Sequence, residues 1–136
     1  MNLDDFQKIE PIYNIEFDDF WKPQNLKSEL QNVSSKYIVA KENGEIVGFA
    51  GIWYSVDDAH ITNIVVRKNY RNKGIGSLLL EKLIELAKTK ASLTLEVNTK
   101  NEIAQKLYLK YGFKNLGIRK KYYDGIEDAY IMTLYF

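Results

Sequence analysis

Apolar and polar positions follow two different spacings along the chain, and the change between them separates helical from extended segments. Residues 1–32 have a helical but broken pattern, because Pro11 interrupts the first piece while Leu26 and Leu30 stand four apart, as one helix face requires. Acidic side chains are frequent in this segment, and charge alone indicates a solvated helical face. They are Asp4, Asp5, Glu10, Glu16, Asp18 and Asp19.

A pattern typical of β-strands follows this helical segment. Runs rich in strand-forming residues at 37–41, 46–53 and 61–66 predict three strands. Asn43-Gly44, between the first two runs, is typical of a two-residue hairpin turn. Because such short connections join antiparallel strands, we expect the three strands to form a meander.

The next part of the chain returns to a helix and then to a strand. A basic loop ends at Gly74-Ile75-Gly76 and opens a strongly periodic helix. The run 92–97 alternates, which predicts a strand with one apolar and one polar face. The apolar faces should hold Leu79, Leu83 and Leu86, with Leu80, Ile84 and Ala87 beside them, in the helix, and Leu93, Leu95 and Val97 in the strand.

The end of the chain predicts one more helix and a hairpin. The helix covers about 102–111, and Gly112 is placed to end it as a C-terminal cap. Strands at about 113–122 and 129–136 follow it. The expected helix stripe is Ile103, Leu107 and Tyr111, and the expected hairpin turn is Asp124-Gly125.

Composition and charge narrow the class of protein. The 136 residues are 46% hydrophobic and 27% charged, and 19 basic against 18 acidic residues leave a net charge of +1. These values fit one globular domain over residues 1–136, and the order of the elements predicts a mixed-sheet α/β or α+β fold. A net charge near zero excludes a protein held on nucleic acid mainly by bulk charge.

Residue types that are rare or absent limit the chemistry further. Without cysteine the chain has no disulfide, thiolate metal site or cysteine nucleophile, and a single histidine, His60, excludes a His-rich metal site. The acidic start is unlike a secretory signal, and no apolar run approaches the roughly 20 residues of a membrane helix. We therefore expect no metal, no membrane contact and a soluble protein that stays in the cytoplasm.

The segment 67–77, RKNYRNKGIGS, is the first candidate site. Four basic residues precede two glycines at a strand-to-helix junction. A helix start offers N–H groups and the positive end of a dipole, and glycines let a ligand approach the backbone closely. These features suit a pyrophosphate, although the spacing R-x-x-G-x-G matches neither the Walker loop nor the dinucleotide fingerprint. The pattern alone fits a basic surface loop equally well.

Individual residues further along the chain are also candidates. Glu96 lies on the polar face of its strand, Tyr108 flanks the stripe of the last helix, and Asn101 precedes that helix. Each has a simpler explanation in isolation: a solvent-facing carboxylate, a boundary tyrosine and a helix N-cap. The run 119–123, RKKYY, has the mixture that stacks on single-stranded nucleic acid, but the near-zero net charge favours an exposed hairpin arm.

Taken in order, these pieces resemble the GNAT superfamily of acetyl-CoA-dependent N-acetyltransferases. The likeness covers roughly residues 36–136 and is strongest to the RimI type, which acetylates the N-terminal alanine of a small-subunit ribosomal protein. It implies a GNAT-like, mixed and mostly antiparallel sheet flanked by helices. The matching parts are NIVV (63–66), the R-x-x-G-x-G loop (71–76), LTLEV (93–97), Asn101 and KLYLKYGF (106–113).

The resemblance also implies roles for individual residues. Glu96 would match the general base and Tyr108 the general acid in a direct transfer from acetyl-CoA to an amine. Acetyl-CoA would be held by a strand, the glycine loop and the residue before the last helix. These cofactor-binding positions are Ile64, Val65, Val66, Arg71, Asn72, Lys73, Gly74, Ile75, Gly76, Ser77 and Asn101.

The same resemblance implies a partner. The acceptor would be the N-terminus of a ribosomal protein, and the enzyme would be a monomer that binds no nucleic acid directly. The acidic N-terminal third would favour a cationic peptide by charge complementarity. Two other functions stay open at this level: acetylation of a small amine such as a polyamine or an antibiotic, and non-catalytic binding of acyl-CoA or nucleic acid.

Overall fold

The computed structural model describes residues 1–17, 23–123 and 127–136, apart from the side chains of residues 14, 15 and 121–123. No helix in these ranges has the length and apolar character needed to cross a membrane. The helical segments are α1 (Leu3–Ile9), a 3₁₀ turn (Glu10–Ile12), a π-helical turn (Tyr13–Phe17), α2 (Pro23–Glu29), a second 3₁₀ turn (Lys68–Tyr70), α3 (Ile75–Ala87) and α4 (Glu102–Lys110). The strands are β1 (Ser35–Glu42), β2 (Glu45–Tyr54), β3 (Asp58–Val66), β4 (Ser92–Asn98), β5 (Lys114–Tyr123) and β6 (Glu127–Tyr135).

The six strands form one sheet in the order β1-β2-β3-β4-β6-β5. Neighbouring strands are antiparallel except β3 and β4, which are parallel. This parallel pair is joined at three positions, from Asp58–Ser92 to His60–Thr94, and both strands run on past the last of them. The sheet is therefore split between β3 and β4 beyond His60, and the candidate site lies in this split.

Helical segments cover both faces of the sheet and bury two hydrophobic clusters. The first cluster lies under α3, where Leu93, Leu95 and Val97 of β4 are buried as their alternation predicts. The second lies under α1 and the π-helical turn and is rich in aromatic rings. Full burial of one such side chain contributes about 1.5–3 kcal/mol, so packing on the two faces stabilises a sheet that is only partly joined in its middle.

The first hairpin turn and the proline break lie where the sequence predicts them. Asn43 and Gly44 both have positive φ, 53° and 81°, as the mirror-image turn between β1 and β2 requires. α1 ends at Ile9, and Pro11 sits in the 3₁₀ turn that follows, where its missing N–H is tolerated. The predicted turn at 124–125 lies outside the described residues.

The predicted apolar faces of two helices are partly wrong. In α3, Leu80 and Ala87 are fully buried, while Leu86 lies at the edge of the face. In α4, Ile103 is 80% exposed, and Tyr108, expected on the flank, packs against the core. Because the apolar stripe of a helix is broad, residues at its border can be buried or exposed, and the packing partner rather than the spacing selects which of them is buried.

Candidate active site

The split between β3 and β4 opens into a cavity of about 910 Å³. One wall is formed by β3, the loop that follows it and the start of α3. The other is formed by the end of β4 and by α4. The two predicted catalytic residues and the predicted cofactor-binding residues other than Lys73 all line this cavity. Its volume is that of a small-molecule site.

The β3 wall offers backbone groups. β3 pairs with β2 as far as Val66 but with β4 only as far as His60. The edge of β3 at Ile64, Val65 and Val66 therefore borders the cavity instead of another strand. An extended ligand that carries amide groups would meet there the N–H and C=O groups that an added strand would use.

The start of α3 has the shape of an anion site. Gly74 has φ 84°, and α3 begins after it with no side chain capping its first N–H groups, which carry the positive end of the helix dipole. A Cβ at Gly76 would meet only a Val66 methyl at 3.9 Å, and one at Gly74 would meet nothing within 4 Å. The space above both glycines therefore belongs to the cavity, as a bound diphosphate requires.

Two cations of the loop make contacts within the protein. Arg71 Nε donates to Val66 O at 2.9 Å, and Arg71 Nη2 donates to Phe17 O at 3.2 Å. Lys73 Nζ lies over the Tyr70 ring, 5.3 Å from its centroid. The Arg71 guanidinium thus ties the loop to the π-helical turn while Arg71 also lines the cavity, and its contact with the cofactor stays a prediction.

The acidic N-terminal segment is also engaged with the rest of the fold. Glu16 pairs with Arg67 at 2.8 Å. Asp5 completes the capping box of α1 and lies 3.8 Å from Lys41 Nζ. Asp18 and Asp19 lie outside the described residues. Glu16 and Asp5 therefore hold helical segments in place and do more than form a solvated face.

Glu96 lies on the wall opposite the glycine loop. Leu95 and Val97 on either side of it are buried in the core, so the strand alternation turns Glu96 to the other face of β4. Its side chain is 18% exposed, and its Oε1 lies 3.5 Å from Nη1 of Arg119 on β5. Glu96 is thus a partly desolvated carboxylate with a cation beside it.

Tyr108 reaches the same cavity from α4. Its ring packs against Phe113 with the ring centroids 5.7 Å apart, which restricts the direction of the side chain. Burial raises the pKa of the Tyr108 phenol to about 12, because the phenolate would lose its solvation. The phenol therefore stays protonated at neutral pH and is available as a donor.

Asn101 caps α4 at the border of the cavity. Its Oδ1 accepts a hydrogen bond from the Ala104 N–H at 3.1 Å, which is the N-cap bond that its position predicts. Gln105 Nε2 donates to the carbonyls of Asn98 and Thr99 at 3.1 and 3.0 Å. These bonds fix the loop between β4 and α4, and so place Asn101 on the cavity wall.

Proteins of known family match nearly the whole chain. The sequence profile of the Acetyltransferase (GNAT) family matches residues 6–113. The chain belongs to this family. It is 41% identical over 139 aligned positions to a protein of Bacillus subtilis (strain 168) that is provisionally named a ribosomal protein bS18-alanine N-acetyltransferase. That alignment covers 97% of this chain and 90% of the relative.

Solved GNAT structures share the fold. The crystal structure of the ribosomal-protein-S18-alanine N-acetyltransferase from Escherichia coli has a TM-score of 0.88 at 32% identity, over 99% of this chain and 90% of that one. A GNAT family acetyltransferase from Elizabethkingia anophelis with acetyl-CoA bound has a TM-score of 0.75 at 28% identity, over 85% of this chain and 84% of that one. The predicted sheet architecture and enzyme class are confirmed: this chain is an acyltransferase of the GNAT family.

The GNAT cavity contains polar residues that the sequence pattern did not single out. Thr62 and Asn63 line the β3 wall, and Asn63 is buried. Thr62 Oγ1 lies 2.9 Å from the Tyr37 hydroxyl and donates to Asn63 Oδ1 at 3.1 Å. The Tyr37 ring crosses β2 at Gly51, where a Cβ would lie 2.3 Å from the ring. Two features of the sequence could have indicated these residues: the polar pair Thr62 and Asn63 inside an otherwise apolar strand, and Gly51 in the neighbouring strand.

Proposed function

We propose that this chain transfers the acetyl group of acetyl-CoA to the N-terminal α-amine of a ribosomal protein that begins with alanine. The observation that carries the proposal is one cavity with an anion-binding helix start on one wall and Glu96 and Tyr108 on the other. The names of the Bacillus subtilis relative and the Escherichia coli structure support the acceptor, because this chain spans 90% of each.

The residues of the β3 wall fit acetyl-CoA, which supplies an activated thioester when it is bound. The N–H groups at the start of α3, below the open space at Gly74 and Gly76, would hold its diphosphate. The strand edge from Ile64 to Val66 would bind its amide-containing arm. N–H groups near Val66 would also stabilise the negative charge that develops on the thioester oxygen.

Glu96 and Tyr108 would handle the protons of the reaction. A neutral amine forms the new C–N bond as the C–S bond breaks, and the amine proton passes to the Glu96 carboxylate, directly or through one water. Tyr108 donates to the leaving sulfur, and the proton it gives to the thiol returns to it through solvent from the acid formed on Glu96. The products are an amide and a thiol, and both side chains regain their starting states.

An α-amine suits this site better than a lysine side chain. The pKa of an α-amine is about 7.7–8.0 and that of lysine about 10.4, so roughly 300-fold more of the α-amine is neutral at pH 7. One partly buried carboxylate is then a sufficient base. A protein N-terminus therefore fits the chemistry, and it supports the acceptor that the relatives' names indicate.

A thiol-release assay with peptide acceptors tests the proposal. We expect acetyl-CoA to release its thiol with a peptide that begins with a free alanine, and tandem mass spectrometry to place the acetyl group on that residue. The same peptide with a blocked N-terminus is the control and should be inert, even if it contains lysine. Binding of acetyl-CoA without turnover on the peptide or any small amine would contradict the proposal.

Two variations of the assay refine the acceptor. Turnover on a polyamine or an antibiotic, with none on the alanine peptide, would replace the acceptor and leave the acetyl transfer in place. Peptides with basic or acidic residues after the alanine test the charge preference predicted from the acidic N-terminal segment. Equal rates on the two peptides would remove that preference.

A further inference from the structure

Arg119 stands beside Glu96 although the two residues lie on strands that are not neighbours. Glu96 is on β4, Arg119 is on β5, and β6 runs between them. Arg119 pairs with Ala129 of β6, which pairs with Asn98, two residues beyond Glu96 on β4. These four positions therefore share one face of the sheet. Ala129 presents only a methyl group there, so the arginine side chain can cross β6 and reach Glu96.

The backbone of β5 is irregular on both sides of the segment that carries Arg119. The register between β5 and β6 shifts between Asn115 and Gly117, and again between Arg119 and Tyr123. Irregularities of this kind redirect side chains and are frequent next to active sites. Arg119 is therefore the last regularly paired residue before the second irregularity, and its side chain contacts Glu96 on the cavity wall.

The two members of this ion pair differ in exposure. The Arg119 side chain is 55% exposed, whereas that of Glu96 is 18% exposed. Water screens the arginine, so the pair adds little to the stability of the fold. The main effect of the pair is on geometry, because a planar guanidinium restricts the orientation of the carboxylate that it contacts.

We infer that Arg119 is a positioning residue that orients the Glu96 carboxylate toward the acceptor amine. The inference rests on the proposed function, in which Glu96 is the base. A base must lie within hydrogen-bond reach of the proton that it takes, and a displacement of about 1 Å can lower a rate about a hundredfold. A glutamate side chain has several rotatable bonds, and a contact from another strand restricts it to few of its conformations.

The next residue of β5 provides a matched control. Lys120 Nζ lies 3.5 Å from Asp128 Oδ2 on β6, and the Lys120 side chain is 74% exposed. This ion pair has the same length as that of Arg119, but neither of its residues lines the cavity. Loss of the Lys120 charge therefore removes an exposed ion pair of the same hairpin without removing the contact to Glu96.

Steady-state kinetics of the full chain with an alanine peptide tests the inference. We expect Arg119→Gln to lower kcat roughly tenfold with little change in the KM of acetyl-CoA, because the base is misplaced while the β3 wall is intact. Arg119→Lys should recover part of the loss, since it keeps a cation with hydrogen-bond donors. Lys120→Gln should match the wild type. Equal thermal midpoints would show that the folds are intact, and Arg119→Met replaces the glutamine variant if that variant unfolds.

The outcomes separate this inference from the proposed function. A kcat for Arg119→Gln equal to that of Lys120→Gln, or a loss that appears only in the KM of acetyl-CoA, overturns the role of Arg119. If Glu96→Gln is inactive while Arg119→Gln is fully active, Glu96 stays the base and only the positioning role is lost. A fully active Glu96→Gln variant removes the proposed base itself.

Discussion

The two walls of the cavity are built from different parts of the polypeptide. The β3 wall presents main chain: a strand edge that continues past its partner, and a helix start with two glycines. The β4–α4 wall presents side chains, Glu96 and Tyr108, each held by a neighbour. A wall that binds through its main chain tolerates many side-chain substitutions, but it loses binding when a new side chain fills the cavity beside it. A side-chain wall fails when one functional group is removed.

This difference separates binding from turnover. Changes in the β3 wall should alter the Kd of acetyl-CoA, whereas changes in the β4–α4 wall should alter kcat and leave that Kd nearly constant. Four experiments examine the contrast. The contrast would be contradicted by a variant of the β3 wall that lowers only kcat, or by a variant of the β4–α4 wall that raises the Kd of acetyl-CoA.

Replacement of Glu96, the proposed base, should have the largest effect. Glu96→Gln keeps the size of the side chain and removes its ability to accept the amine proton. We expect kcat to fall by about 10²- to 10⁴-fold, the usual contribution of general base catalysis. Calorimetric titration with CoA should give the wild-type Kd. A wild-type kcat would show that the amine loses its proton elsewhere.

Removal of the Tyr108 hydroxyl should have a smaller effect on the same parameter. Tyr108→Phe keeps the ring contact with Phe113 and deletes the proposed donor to the leaving sulfur. We expect kcat to fall by about 10²-fold, at the lower end of the range for acid catalysis, because a thiolate leaves with little assistance. Measurement with a thioester that has a more acidic leaving thiol should restore part of the loss. If the ratio of wild-type kcat to Tyr108→Phe kcat is the same for both thioesters, that result would argue against the donor role.

A side chain in the β3 wall should weaken binding instead. Gly76→Val places methyl groups in the open space above the start of α3, where the protein itself offers no close contact. Loss of about one charge-assisted hydrogen bond to the diphosphate predicts a Kd for CoA raised about tenfold or more. Glu81→Val, on the exposed side of the same helix, is the control for helix propensity. Equal Kd values in the two variants would exclude the helix start as the diphosphate site.

The last prediction concerns stability at alkaline pH, where the effect is confined to a narrow pH interval. An unfolded tyrosine ionises near pH 10, whereas the pKa of Tyr108 in the fold is about 12. Between these values the unfolded state binds fewer protons than the folded state, so the free energy of unfolding falls as the pH rises. From about pH 9 to about pH 11.5, the wild type should lose about 2 kcal/mol more than Tyr108→Phe.

Urea unfolding of both proteins at the two pH values measures this difference. Other tyrosines titrate in the same interval, including Tyr54, whose pKa burial also raises. Their contributions are common to the two proteins and cancel in the comparison. Identical losses in the wild type and the variant would contradict the burial of the Tyr108 phenol.

Local sequence patterns were sufficient for most helices and strands and for the start of α3. Alternation placed Glu96 on the face opposite Leu95 and Val97, and glycine spacing marked the start of α3, because both signals are contained within a few neighbouring residues. The N-cap role of Asn101 was visible for the same reason. The catalytic roles of Glu96 and Tyr108 remain predictions.

Contacts across the sheet were beyond the reach of these patterns. The pairing of Arg119 with Glu96 depends on the strand order β4-β6-β5 and on two register shifts, which no local spacing encodes. Arg71 lines the cavity, and its contact with acetyl-CoA stays a prediction, but the hydrogen bond from its guanidinium to the carbonyl of Phe17, a residue far away in the chain, was not indicated by the sequence. Charge and position suggest that a cation is available, but only the tertiary fold decides what it contacts.

The short parallel pairing of β3 and β4 makes the cavity a wedge with a fixed apex. At that apex Ser92 Oγ donates to Asp58 Oδ1 at 2.6 Å, and the Ala91 N–H donates to Asp57 O at 2.7 Å. The two strands begin to diverge there, outside the lining of the cavity. The width of the mouth therefore depends on residues that do not line the cavity, so we expect substitutions at the apex to change its shape without altering a single group on either wall.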